Sequence, residues 1–129
     1  YPQRREMLEF GVKHFFDLNR RTDNCADCMV GDRSNSLVEA LGEEQVRAGE
    51  YDRAIEIIER FRTERRNEVS DYAWAETATV VGEAYWKSGR QEKAVASMER
   101  EEPVTGDHPY VERFREQLER YREELKIAN

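Results

Sequence analysis

Cys25-Ala-Asp-Cys28 is the group of residues whose types and spacing carry intrinsic reactivity. Two thiols three positions apart fit three chemistries. A redox pair needs one thiolate of lowered pKa, supplied by a helix N-terminus in an alternating strand–helix setting. No such strand pattern surrounds these residues. A zinc site needs four ligands, and the motif supplies two. His14 and His108 are the two histidines of the chain, and His108 is far away in sequence, so a zinc site shared between chains is the form this reading takes. The third reading, which the polar surroundings favour, is a loop with two free thiols or a small local disulfide. Other routes to catalysis lack their residues: there is no phosphate-cradling glycine loop, no nucleophile elbow and no paired metal-binding histidines. Carboxylates are abundant, but on charged helices they usually form solvated faces with weak ion pairs, as the spacing of Glu116 and Arg120 leads one to expect. No catalytic residue, metal or cofactor is assigned, and the chain is read as a non-enzyme.

These residues must be held by helices, because no segment alternates apolar and polar side chains with a period of two. A first amphipathic helix is expected over 3–19, with Leu8, Val12, Phe15 and Phe16 on one face. A polar loop over 20–35 holds both cysteines and Gly31. A helix then starts near Ser34 or Ser36 and runs to Ala48, with Val38, Leu41, Gln45 and Ala48 inward and Gly49 closing it. Its partner covers Tyr51 to Thr63, with Ala54, Ile55, Ile58 and Phe61 inward. The run from Arg62 to Glu68 is too polar to pack and is expected as an exposed connector. The next helix runs from Tyr72 to Lys87, capped by Ser70 or Asp71 and closed by Gly89. Gln91 to Arg100 follows, with Ala94, Val95 and Met98 inward and Pro103 marking its end. After a turn over Thr105 to Pro109, a last helix within 107–127 lines up Val111, Phe114, Leu118, Tyr121 and Leu125. Its opposite face is almost entirely Glu and Arg. The fold class is all-α, a single domain over 1–129.

Two of these hairpins, spanning 35–101, are copies of one another. Ala48-Gly-Glu-Tyr-Asp-Arg-Ala-Ile55 returns as Ser88-Gly-Arg-Gln-Glu-Lys-Ala-Val95, forty positions on, and Gly42, Gln45 and Ile58 correspond to Gly82, Tyr85 and Met98. Here the chain resembles the tetratricopeptide repeat, which asks for a small residue at the helix crossing, an aromatic three later, a turn glycine and an early alanine in the second helix. Gly82, Tyr85, Gly89 and Ala94 are the better copy; Gly42, Gly49 and Ala54 keep the pattern with Gln45 in place of the aromatic. The departures are a spacing of forty against the usual ~34, Val38 and Ala78 where an aromatic is usual, and Arg66 and Gly106 where proline is usual. Gly11 is a candidate for the same role in a degenerate third hairpin. The resemblance implies a short α-solenoid of antiparallel hairpins, with the final helix as its cap.

It also implies a job. Stacked hairpins dock other chains, and the exposed positions of each hairpin's first helix line the groove. By that mapping Glu39, Glu43 and Val46 come from the first hairpin, and Glu76, Thr79, Glu83 and Trp86 from the second. Glutamates around an indole suit a basic segment of a protein or peptide partner, by charge steering and cation–π contact. The expected role is a protein–protein interaction module, an adaptor or an assembly subunit of a larger complex. The alternative is a regulatory protein that responds to oxidation or zinc through Cys25 and Cys28.

The totals agree with this class. The chain carries 28 acidic and 21 basic residues, net −7, with 38% hydrophobic and 38% charged residues. An acidic balance argues against a nucleic-acid footprint. No apolar stretch approaches the roughly 18 residues of a membrane span. The opening Tyr1-Pro2-Gln3-Arg4-Arg5 lacks the apolar core of a signal peptide and there is no initiating Met, so localisation is left open between cytoplasmic and lumenal after processing.

Overall fold

The computed structural model describes residues 2–19, 28–65, 71–101 and 108–128. Among them there are six helices and no strand: α1 (Pro2–Asn19), α2 (Cys28–Arg47), α3 (Tyr51–Arg65), α4 (Asp71–Lys87), α5 (Gln91–Glu99) and α6 (Pro109–Ala128). The expected Ser70 cap, the loop over 20–27, positions 66–68 of the connector and the turn at Thr105 to Asp107 lie outside the described residues.

Two identical turns fold α2 onto α3 and α4 onto α5. Gly49 and Gly89 adopt φ of 78° and 86°, in the left-handed region where a Cβ is costly. Around each, the amide after the glycine bonds back five residues (Glu50 to Gln45 at 2.8 Å, Arg90 to Tyr85 at 2.9 Å). The glycine amides bond back three, to Val46 at 3.0 Å and Trp86 at 3.1 Å. This is the Schellman arrangement, which satisfies the last carbonyls of α2 and α4. Above the turns the helices converge on glycine. A Cβ at Gly42 would lie 2.8 Å from Ile58 Cδ1, and one at Gly82 would lie 2.8 Å from Met98 Cγ.

Helix α4 is the centre of the molecule and packs against α2, α3, α5 and α6. One side of it (Trp74, Val80, Val81, Ala84) joins Val12, Val38, Leu41, Ala54, Ile58 and Phe61 in a first core. The other (Ala75, Ala78) joins Ala94, Val95, Met98, Val111, Phe114, Leu118 and Tyr121 in a second. The inward stripes read from the sequence thus hold for the side chains described, apart from Ala48, which is exposed in the turn; Phe15 and Phe16 lie outside those described. Helix α1 packs on α2 through Leu8 and Val12. Arg5 fixes its angle by gripping the Glu50 carboxylate at the first turn with both guanidinium nitrogens, Nη2 to Oε1 at 2.6 Å and Nη1 to Oε2.

Three expectations are corrected. The segment from Cys28 to Asn35, expected as loop, is the first part of α2. Gly31, Ser34 and Ser36 each cost a helix less than about 1 kcal/mol, and extending a helix already nucleated is easy. Arg62, expected in an exposed connector, is buried at 5% and ion-paired with Glu101 of similar burial. Gly11 does not match Gly42, since a Cβ there would meet Leu37 at an ordinary 3.6 Å.

Candidate functional site

Helices α2 and α6 flank α4 on the same side, and the three enclose a cleft of ≈ 460 Å³. Helical spacing decides what faces it. Glu39 and Glu43 are one turn apart on α2. Glu76, Thr79, Glu83 and Trp86 follow at intervals of three, four and three on α4, with Val80 beside them. The third wall is α6, which contributes Tyr110, Arg113, Gln117, Arg120, Tyr121 and Glu124.

Six of the seven residues mapped to a groove therefore meet in one cleft. The seventh, Val46, does not: it is 4% exposed and belongs to the first core, with Val81 and Ala84. It shares a helical face with Glu39, but the end of α2 is covered where the face of Glu39 is open. The sequence reading missed the α6 wall, because that helix was assigned as a cap whose polar face meets water. The signal was present: Tyr110, Arg113, Gln117, Tyr121 and Glu124 recur every three or four residues, beside the buried stripe.

The inner end of the cleft, between α2 and the first half of α4, is where carboxylates crowd. Glu39 is pushed up to about 9 by burial first, then by its hydrogen bond with Glu43 and by the charges of Glu43 and Glu76, with Arg113 opposing. Its carboxyl is thus protonated at neutral pH and donates to Glu43. Glu76 is also raised, chiefly by burial and then by the charge of Glu43. Hydrogen bonds from Tyr110 and Ser36, and the charge of Arg113, work the other way. The same bond to Glu76 raises the Tyr110 hydroxyl.

The outer end is more balanced. Glu83 pairs with Lys87 at 2.7 Å, and Arg120 donates to Gln117. Trp86 stacks on Tyr121 with ring planes 1° apart and centroids at 4.1 Å. One face of the indole is therefore already covered by α6. Tyr121 is pushed up to about 12 by burial and then by the charge of Glu83. In all, five carboxylates line the cleft against three basic side chains, and with Glu39 protonated four charged carboxylates face those three cations.

This arrangement holds a proton on Glu39 and can attract a cation. The Thr79 hydroxyl on the floor is engaged, donating to the Ala75 carbonyl at 2.8 Å. Among the described residues no group of His, Cys, Asp and Glu could hold a metal ion. Cys25 lies outside the described residues, and Cys28 is the first residue of α2. His14 stacks on Phe10 on the exposed face of α1. His108 precedes α6 and its Nδ1 accepts from the Tyr110 amide at 3.2 Å. Helices α1 and α6 do not pack together, so the two histidines do not converge. No described helix is long and apolar enough to cross a membrane. Compared with known proteins, the chain matches no family model, no curated protein and no solved structure.

Proposed function

We propose that the chain is a tetratricopeptide-like helical array that docks a basic segment of a protein partner in the cleft between α2, α4 and α6. It would serve as an adaptor or as an assembly subunit of a larger complex. The carrying observation is the convergence of Glu39, Glu43, Glu76, Thr79, Glu83 and Trp86, taken from two hairpins, on a single acidic hollow. Three features support the repeat reading. The two turns share hydrogen bonds and φ signs at an offset of forty. Glycine stands at the close approach in each hairpin. The packing order also recurs: α2 on α4 and α4 on α6, with α3 on α4 and α5 on α6.

Recognition in this reading is non-covalent. A lysine or arginine side chain enters at the inner end, beside Glu43 and Glu76, in competition with Arg113 and with Arg47, which lies 3.9 Å from Glu43. The aliphatic part of the same segment lies along the edge of the Trp86–Tyr121 stack. The test is a titration of the protein with a Lys/Arg-rich peptide and with its Asp/Glu-rich counterpart. The basic peptide binds and the acidic one does not; affinity falls with salt. Glu43→Lys and Glu83→Lys each weaken binding by about tenfold, a change of about 1.4 kcal/mol, at unchanged helix content. Equal affinity in wild type and both variants sinks the groove.

A second reading draws on Cys28 standing first in α2, since a helix N-terminus favours a thiolate. In that case purified protein carries stoichiometric zinc, or Cys25 and Cys28 form a reversible disulfide whose reduction alters partner release. Metal analysis and thiol titration before and after reductant separate this from the docking role.

A further inference from the structure

The outer face of α1 holds two of the large apolar side chains left in water: Met7 is 74% exposed and Phe10 71%. Phe10 is stacked on His14, ring centroids 5.9 Å apart and planes within 5°. Gln3, Met7, Phe10 and His14 follow one another at intervals of four, three and four. That is the spacing of an a/d seam in a two-stranded coiled coil. The opposite face of α1, with Leu8 and Val12, is spent on α2, so the seam is a second and separate face.

We infer that this seam pairs, antiparallel, with the same seam of a second copy of the chain. The occupant and its direction follow from the charges beside the seam. In an antiparallel pair Met7 of one copy packs on Phe10 of the other, and Gln3 on His14, about a two-fold axis between Met7 and Phe10. The flanking g positions are then Glu6 and Lys13, both exposed, and the pairing sets Glu6 of each copy against Lys13 of the other. Two complementary pairs form by symmetry. A parallel pair would set Glu6 against Gly11 instead and stack Phe10 on Phe10, with no charge complement. The helix is 18 residues long, about 27 Å, and the seam covers part of that. Such a contact falls below the roughly 1,200 Å² of standard interfaces, so the dimer is weak and concentration-dependent.

The test is sedimentation of the whole chain, with reductant present to remove cysteine cross-links, from about 1 μM to about 1 mM. Wild type passes from monomer to dimer across this range. Glu6→Lys alone and Lys13→Glu alone each weaken the dimer by about tenfold, since like charges then meet twice. An equimolar mixture of those two variants recovers wild-type affinity as a heterodimer, and so does the chain carrying both substitutions. Phe10→Ser abolishes association. Circular dichroism matching wild type shows that each exposed-site variant is folded. Three results overturn the inference: wild type monomeric at every concentration, dimerisation indifferent to the charge reversals, or a mixture no tighter than its components. Because the seam lies away from the cleft, Glu43→Lys leaves this equilibrium unchanged, and failure here leaves the docking role standing.

Discussion

A methyl group added at Gly82 would press on the side chain of Met98, which is fully buried. Overpacking of this kind costs about 1–3 kcal/mol, against a helix-propensity gain of about 1 kcal/mol for alanine over glycine. At Gly11 the same methyl meets Leu37 at ordinary contact distance, so the propensity gain is realised almost whole. Gly82→Ala is therefore expected to lower stability by about 1 kcal/mol and Gly11→Ala to raise it by about 0.5–1 kcal/mol. Urea unfolding of the two variants checks the opposite signs; stabilisation by both would mean that α4 and α5 do not need the glycine. At this scale the sequence was a good guide wherever a residue is constrained by its own turn or crossing. The offset of forty alone pairs Gly42 with Gly82 and Gly49 with Gly89. It failed for Val46, whose helical face is that of Glu39, because which part of a face is covered depends on the neighbouring helix and not on periodicity.

The elements meet at a polar joint that local polarity concealed. Arg62 at the end of α3 is ion-paired with Glu101 just beyond α5, and its guanidinium lies 4.5 Å from the centroid of Trp74 near the start of α4. Trp74 Nε1 donates to the other Glu101 oxygen at 3.1 Å. One carboxylate thus ties the far ends of three helices, opposite the glycine turns. The run after Phe61 reads as solvent-exposed because its partner sits 39 positions away, and no window along the chain contains both. Glu101→Ala takes away the buried carboxylate with which the Arg62 guanidinium pairs, and a loss of about 3–5 kcal/mol is expected. Replacing both members, Arg62→Met with Glu101→Leu, should recover most of that loss, because the desolvation penalty goes with the charges. A double-mutant cycle by chemical denaturation measures the difference. Additive losses would show that the pair is not coupled.

For the molecule as a whole, the cleft has a thermodynamic signature. Glu39 holds its proton up to about 9 in the folded chain and releases it near the ordinary value of 4.5 when unfolded. Between those values the folded state binds more protons, so stability falls as pH rises; Glu76, shifted in the same direction, adds to the slope. The Glu50 carboxylate at the α1 joint is lowered by Arg5 and contributes oppositely: its share is present above its ordinary value and lost as pH falls through the lowered one. Between them, these two groups favour the folded state most in mild acid. A full proton is worth about 1.36 kcal/mol per pH unit, and solvent at the cleft mouth screens part of it. From about pH 5 to about pH 9, a loss of roughly 1–2 kcal/mol is expected. Glu39→Gln keeps the shape and the hydrogen bond to Glu43 without a titrating proton, so it should flatten this slope and stabilise the chain at alkaline pH. Urea midpoints across the range decide it. A slope identical in the variant would place the crowding elsewhere, whereas a flattened one would mean the fold tolerates converging carboxylates at the expense of its own stability, the trade expected if the surface is kept for the cationic guest proposed above.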